Sequence, residues 1–563
     1  MKNSRYISVP FYLLIAVFFL LITRCLYLQL IKHDKYTDIS LKQHRSLAWQ
    51  KPQRGVILDS QGRVLAASNK IQTIFAEPRI IKEPEKVAAK LAPILNTDSI
   101  QIYKLITESK NPGFVKLMEN ANQQQCEAAR KIYGVGIQTT WRRYYPSQRL
   151  ASHILGFTSK DNRGLDGIEL MKDKELAGLG GHNVFLADSS RRPIRLKDRT
   201  LVKDGIGIIL TIDSAVQQFA REELYKRYTE YQAESAIAIV ADPKTGAILA
   251  LVSLPDFDPE NANTADPNSL RNRALTDQFE PGSLLKPLAA AIAIDANVVN
   301  LNEKIFCEYG NYRGKGFGRI GEYGDHQFGD LNVKEILVNS SNIGMAKIGQ
   351  RLGKEKLYKG MKLFGFGQTT GIDLPGETSG RLWPVKKWTG YSVTRIPFGQ
   401  EITVTAIQLV KAFCTLANGG KPITPYLIKG MVANDGTIVY TKRLRATAGF
   451  IVKPEVANWI VRQAMTDVVN RGTGKRAKLD KWQVFGKTGT ANIAKADQRG
   501  YSERDYIASF IAGAPADDPQ IIVLVSLRKP NIKLGKGYTG GVVASPVAAK
   551  IIEKTLTYLE KQR

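Results

Sequence analysis

A chain of 563 residues with 43% hydrophobic and 23% charged residues is too long for one core and too apolar for disorder, so several globular domains are expected. The net charge of +28 comes from Lys and Arg spread along the chain, with no helix-turn-helix, zinc finger or aromatic platform, so nucleic acid is not expected as a partner. An anionic membrane surface or an anionic, lipid-linked substrate fits that charge, and much of it is solvated surface. The four cysteines lie far apart without Cys-x-x-Cys spacing, so neither a metal site nor a disulfide framework is expected.

From the N-terminus, residues 1–9 make a short tail carrying Lys2 and Arg5. Residues 10–22 are apolar without a break and the segment runs on to Ile31, about the 20 residues that cross a bilayer. No small-x-small cleavage site follows, and Arg24-Cys25 is not a lipid-attachment box. The expectation is a single transmembrane helix over 10–31, with residues 1–9 cytoplasmic and everything after the helix exported.

Residues 32–203 read as mixed α/β. Two short strands flank a Ser-Gln-Gly turn within 54–66, and 83–109 carries helical periodicity. Arg143-Tyr-Tyr-Pro146, His153-x-x-Gly156 and Gly164-x-x-Gly167-x-Glu169 punctuate a loop-rich module without any nucleophile–base pair, so this part is expected to be a spacer or docking pedestal. Residues 204–233 form a junction in which a strand over 206–212 feeds a helix near 216–228. A hairpin of 236–240 and 247–252, turning at Asp242-Pro-Lys-Thr-Gly246, then opens a second α/β domain over 234–563. Further along are expected a helix–turn–helix over 336–349, a Gly/Pro-rich loop over 365–381 and a helix over 400–418. Strands at 482–491, 506–512 and 521–525 and a terminal helix over 545–559 follow.

The chemistry concentrates at Glu280-Pro-Gly-Ser283-Leu-Leu-Lys286-Pro287. Pro281 and Gly282 make a turn, and the apolar run after Lys286 reads as a helix buried on all sides. Pro287 is tolerated because it falls in the first helical turn. Ser283 is thus at a helix N-terminus with Lys286 one turn later on the same face. A hydroxyl, an amine to take its proton and converging backbone N–H groups make a nucleophile site. The bland alternative is a capping serine beside a surface lysine. A serine–histidine arrangement would have to use His326 or a distant histidine, which favours Lys286 as the base.

Each short signature recurs. Ser-x-x-Lys occurs again at Ser526–Lys529, Lys-Thr-Gly at Lys244–Gly246, and Ser-x-Asn at Ser109–Asn111. Only one combination runs in order on suitable elements: Ser283-x-x-Lys286, then Ser340-Ser341-Asn342 at a helix break, then Lys487-Thr488-Gly489 on a strand. Ser340 has a competing reading as the cap of the next helix. Gly489 leaves room for another backbone alongside the strand.

This ordered set resembles the active-site-serine penicillin-binding transpeptidases and serine β-lactamases, and most closely the class B penicillin-binding proteins. The resemblance covers nearly the whole chain, from Arg54-Gly, Arg143-x-Tyr-Pro146 and Gly167-x-Glu169 through Phe398-Gly-Gln400 to Gly486-Lys-Thr-Gly-Thr-Ala491; Leu284-Leu285 stands where relatives often carry Thr-Phe. It implies an α/β (α+β) fold: a membrane helix, a mixed α/β pedestal, and a serine-acyltransferase domain with a central antiparallel sheet covered by helices. It implies a peptidoglycan D,D-transpeptidase of the division type more than the elongation type, held in the bacterial cytoplasmic membrane and acting outside it. By the same resemblance Ser283 is the nucleophile, Lys286 its base, Ser340 a proton relay, and Asn342 a holder of the peptide amide or of Lys286. Lys487 supplies positive potential, Thr488 and Thr490 bind the terminal carboxylate, and the N–H groups of Ser283 and Thr490 form the oxyanion hole. Stem peptides, a lipid-linked precursor, β-lactams, a membrane glycan polymerase and division proteins are the implied partners; no cofactor or metal is. A D,D-carboxypeptidase, a β-lactam hydrolase and a β-lactam sensor share the signatures and stay open.

Overall fold

The computed structural model describes residues 4–187, 193–443, 449–495 and 500–562, so Met1–Asn3 of the expected cytoplasmic tail lie outside the described residues. Compactness divides the chain into two units. One comprises Met1–Gln53, Lys70–Trp141 and Gly178–Asp204, the other Arg54–Asn69, Arg142–Ala177 and Gly205–Arg563.

In the first unit the apolar N-terminal run forms a helix over Ser4–Leu26 that continues through a wider turn over Tyr27–Ile31. Its stretch Val9–Ile31 is long and apolar enough to cross a membrane and none of it is buried. Helices Pro84–Leu95 and Ser99–Thr107 match the helical periodicity, and with a further helix, Gln123–Arg130, they enclose a small core of Ile74, Leu91, Leu95, Ile102, Ile106 and Cys126. Arg45–Gln50, Gly181–Ala187 and Pro193–Thr200 form a separate antiparallel sheet.

The second unit is built on a five-stranded antiparallel sheet, in the order Ile248–Leu254, Ser235–Ala241, Ile521–Arg528, Tyr501–Ala514, Phe485–Ala494. Its central strands Ser235–Ala241 and Ile521–Arg528 are buried at every position but Arg528 and are mostly apolar, because both faces are covered. Alternation sorts the side chains: Ile237, Ile239, Ile522 and Leu524 enter one core, while Ala238, Val240, Val523 and Val525 enter the other. Helices Ser214–Glu230 and Ser545–Gln562 close the second core through Val216, Leu224, Val547 and Ile551. On the opposite face helix Ala406–Ala417 packs against the central strands, alongside helix Lys286–Asp295, which is buried from Lys286 through Ala293. The helix expected over 400–418 begins only at Ala406, because Thr405 caps it and residues 403–404 are held extended by bridges to Arg381 and Phe279.

The arginine and acid motifs expected in the pedestal explain themselves as packing in this unit. Glu169 is fully buried and accepts from Arg54 Nε and Arg143 Nε, each at 2.6 Å, so one carboxylate joins three segments far apart in sequence. A buried acid so paired is tolerated, whereas removing one partner strands a charge. Asp59 likewise accepts from Arg63 Nε at 2.7 Å and Ser214 Oγ at 2.6 Å, tying the end of strand Ile57–Leu58 to the start of helix Ser214–Glu230.

Candidate active site

Ser283 lies in a single tight turn, Gly282–Leu285, that runs directly into helix Lys286–Asp295. Two close backbone approaches hold this turn. Gly399, with φ +85°, accepts from Gly282 N at 3.1 Å, and a Cβ there would stand 2.0 Å from Gly282 O. Gly489 faces the turn from the strand side, where a Cβ would meet Leu284 Cγ at 2.7 Å and Pro281 O at 3.2 Å. Only glycine allows strand Phe485–Ala494 to lie this close to the Ser283 turn. The room expected at Gly489 is therefore used by the nucleophile's own turn.

Between helices Val333–Val338 and Asn342–Leu352 the chain turns sharply, and Ser340 takes φ +59°. The cap of the second helix is Ser341, whose Oγ accepts from Gly344 N at 3.0 Å. Sequence alone left capping open for Ser340; the structure gives that duty to its neighbour and leaves Ser340 in the cleft. Lys286 Nζ donates to Ser340 O at 2.5 Å, to Asn342 Oδ1 at 2.8 Å and to Ser340 Oγ at 3.2 Å. None of these three acceptors is Ser283 Oγ. Lys487 Nζ donates to the same Ser340 Oγ at 2.9 Å and to Thr488 O at 3.3 Å.

Both lysines are 0% exposed. Burial pushes the Lys286 ammonium down to about 7, against a smaller upward pull from the Glu322 carboxylate. Lys487 is pushed well down as well, first by burial and then by the charge on Lys286. Burial thus acts on both amines, and the mutual repulsion of the pair falls on Lys487.

A cavity of about 360 Å³ is lined by Ser283, Ser340, Asn342, Thr488 and Thr490, so five of the expected residues open on one space. Lys286, Lys487 and Gly489 stand behind that lining and act through it. Thr490 Oγ1 accepts from Gly540 N at 3.2 Å, and Thr488 Oγ1 is 2.7 Å from Thr473 Oγ1. The duplicate signatures are elsewhere. Lys244 is in the hairpin turn, paired with Asp518 at 2.6 Å. Ser526 is inside a central strand, its Oγ 2.8 Å from Ser509 Oγ.

Sequence reasoning missed several lining residues. Glu322 accepts from Ser341 Oγ at 2.5 Å, Asn342 N at 2.6 Å and Ile343 N at 3.3 Å, so it caps the helix that presents Asn342. Glu280 accepts from Tyr501 Oη at 2.9 Å and from Glu401 N at 3.0 Å, and burial pushes its carboxyl up. Thr473 also lines the cavity, as does His326, which the sequence offered only as an alternative base. Only Glu280 carried a sequence signal, by standing three residues before Ser283.

A nucleophile hydroxyl, two buried amines and a hydroxyl bridge around one cavity are the groups that acyl transfer requires. Residues 236–553 match the family described as penicillin binding protein transpeptidase domain, more than half of the chain, and residues 49–210 match the penicillin-binding protein dimerisation domain. The chain belongs to the penicillin-binding transpeptidases. This penicillin-binding protein is 36% identical to stage V sporulation protein D of Bacillus subtilis over 97% of this chain and 84% of that one. It is 29% identical to peptidoglycan D,D-transpeptidase FtsI of Escherichia coli, over 98% of this chain and 92% of the other. Among solved structures, a peptidoglycan synthetase from Bifidobacterium adolescentis superposes with a TM-score of 0.76 at 26% identity, covering 92% of this chain and 97% of that one.

Proposed function

We propose that Ser283, Lys286, Ser340, Asn342 and Lys487 carry out peptidoglycan D,D-transpeptidation. The penicillin-binding transpeptidases cross-link stem peptides through a serine acyl-enzyme, and this chain does so from Ser283. Ser283 Oγ attacks the carbonyl between the two terminal D-alanines, and its proton passes to neutral Lys286 Nζ. An ester forms, the peptide C–N bond breaks, and the departing D-alanine amine takes up a proton through Ser340. An acceptor amine then attacks the ester, loses a proton along the same path, and releases Ser283 with a new amide bond.

The observation that carries this reading is the double acceptance at Ser340 Oγ, which takes hydrogen bonds from Lys487 at 2.9 Å and Lys286 at 3.2 Å. With its lone pairs so occupied, the Ser340 proton is left to point into the cavity, where a leaving amine would be. Asn342 Oδ1 holds Lys286 Nζ, and Thr488 and Thr490 offer hydroxyls to the terminal carboxylate. The N–H groups of Ser283 and Thr490 are assigned to the developing oxyanion. β-Lactams acylate Ser283 as mimics of the donor.

We further assign 10–31 to a membrane anchor, 32–203 to a pedestal, 204–233 to a junction and 234–563 to the catalytic domain, with that domain outside the cytoplasmic membrane. The likeness to a sporulation protein and to FtsI supports a place in septum-type wall synthesis beside a membrane glycan polymerase and division proteins. The test is mass analysis of the peptide labelled by penicillin, followed by turnover of a D-Ala-D-Ala pentapeptide with an amine acceptor. Label on Ser283 with the amide as product supports the assignment. Label elsewhere moves the site, and hydrolysis alone makes the chain a carboxypeptidase.

A further inference from the structure

Beside the cavity the catalytic unit carries a ridge of exposed aromatic rings set among cations. Trp383 is 44% exposed, with the Arg381 guanidinium 5.4 Å from its ring centre and Lys387 Nζ 4.4 Å away. Tyr391 is 42% exposed, with the Arg395 guanidinium at 5.1 Å. Among the described residues no ion pair engages Arg319, Arg381, Lys387 or Arg395. Four cations without an ion-pair partner on one ridge attract an external anion.

The ridge is built. Buried Trp388 donates from Nε1 to Trp383 O at 2.7 Å, pinning the backbone under the exposed indole. Arg395 Nη2 donates to Arg319 O at 3.4 Å, and the Tyr391 hydroxyl lies so close to Gly318 that a Cβ there would be 2.9 Å from it. The segment 381–395 is thereby joined to the hairpin of Asn311–Gly314 and Gly318–Gly321.

The ridge is also continuous with the active site. Arg395 Nη1 donates to Gln400 Oε1 at 3.4 Å, and Gln400 lines the cavity. Arg381 pairs in register with Thr403, one residue before the Val404–Phe279 bridge that leads into Glu280 and the Ser283 turn. Burial holds the Glu280 carboxyl up, and among the weaker pulls against it is the charge on Arg381 across this bridge, so the two are electrostatically in touch.

A cavity of about 360 Å³ holds the end of one peptide, whereas the substrate is a polymer whose remainder lies on the surrounding surface. That polymer is a chain of amino-sugar rings, which present C–H faces, bearing stem-peptide branches that carry free carboxylates. Exposed aromatic faces flanked by unpaired cations match both features. We propose that the ridge formed by Arg319, Arg381, Trp383, Lys387, Tyr391 and Arg395 is a binding subsite for the peptidoglycan strand attached to the peptide in the cavity. The rings stack on the sugars and the cations meet stem-peptide carboxylates. This subsite rests on the transpeptidase reading above, and the experiment separates the two.

The full chain in detergent is titrated with soluble, uncross-linked peptidoglycan strands, with the same strands stripped of their peptides, and with the free pentapeptide. Trp383→Ala and Lys387→Gln are compared with wild type, with thermal melting as the folding control and penicillin acylation as the measure of the cavity itself. Each variant is expected to bind intact strands about tenfold more weakly while its acylation rate and its affinity for free pentapeptide stay at wild-type values. Stripped strands are expected to lose the salt-dependent part of the affinity, and Lys387→Gln to have a shallower salt dependence. Folded variants that bind intact strands as wild type does overturn the subsite. Equal competition by anionic lipid vesicles or by nucleic acid overturns it too, by making the ridge a general anion surface. Wild-type protein that penicillin does not acylate overturns the transpeptidase reading instead, whatever the ridge does.

Discussion

Ser340 Oγ and Lys487 Nζ are joined at 2.9 Å although the two residues are 147 positions apart. The bond brings the helix break and the edge strand to one point, with Lys487 wholly buried and Ser340 open to the cavity. A buried amine with a lowered proton affinity is a poor permanent cation and a good proton exchanger. Ser340 therefore stands between two amines, and neighbouring Ser341 keeps the helix start in order.

The two adjacent serines should separate cleanly by substitution. Ser340→Ala removes the bridge and is expected to lower penicillin acylation by about two to four orders of magnitude, with little change in melting temperature. Ser341→Ala removes the cap to Gly344 N and the donor to Glu322, and is expected to cost about 1 kcal/mol of stability while acylation stays within about tenfold. Stopped-flow acylation and thermal melting of both variants check this, and the reverse pattern would exchange their roles.

Lys286→Arg is expected to fold yet to lose acylation by about three orders of magnitude or more, because a guanidinium cannot give up its proton in a protein. In wild type the pH profile should carry an acid limb near pH 7, where Lys286 titrates. Above that pH the amine is neutral and can accept the Ser283 proton; below it the rate should fall about tenfold per pH unit. The same shift bears on stability. From about pH 7 to about pH 10.4 the unfolded chain holds a proton here that the folded one has released, so this group makes stability rise with pH across that window. Rates of acylation from pH 5 to pH 9 test the limb; a flat profile would remove Lys286 as the base.

How far the sequence reached can be followed at individual residues. The Ser283 turn, the buried helix after Lys286 and the central strands were legible because local chemistry determines them: Pro-Gly punctuation, an unbroken apolar run, strand-length runs of Val and Ile. Gly489 was readable as a close approach, but its neighbour was not, since Leu284 and Pro281 come to it through tertiary packing. The start of helix Ala406–Ala417 was misplaced because bridges from Val404 and Thr403 to distant segments override local helical preference. Glu322, Thr473 and Tyr501 were invisible for the same reason: each reaches the cavity from a loop or strand whose own sequence carries no signature.

The duplicate signatures offer a control. Lys244→Ala loses only an exposed pair with Asp518, and acylation should stay at wild type. Ser526→Ala leaves the buried Ser509 hydroxyl without its partner, so a loss of about 1 kcal/mol is expected with acylation unchanged. Labelling with fluorescent penicillin and melting curves suffice; a lost label in either folded variant would place part of the site on the wrong strand.

The last expectation concerns Glu322, which touches the machinery from outside the signatures. Its carboxylate accepts from Ser341 Oγ, Asn342 N and Ile343 N, at the N-terminus of the helix that holds Asn342 against Lys286. A negative charge suits that position, because the exposed N–H groups and the helix dipole both favour it. The same charge reaches Lys286 and holds its amine above where burial alone would leave it. Glu322→Gln keeps the length and one acceptor and removes the charge. The Lys286 ammonium then loses the one carboxylate that raises it, so the acid limb of acylation should move to lower pH than in wild type. Weaker capping should at the same time reduce stability by about 1–2 kcal/mol. Glu322→Asp retains the charge and should leave the limb near its wild-type position even if the cap is loosened. A pure packing role would lower the melting temperature of both variants and leave both limbs where they are. An upward shift in Glu322→Gln would reverse the sign of the interaction and place another group in control of Lys286.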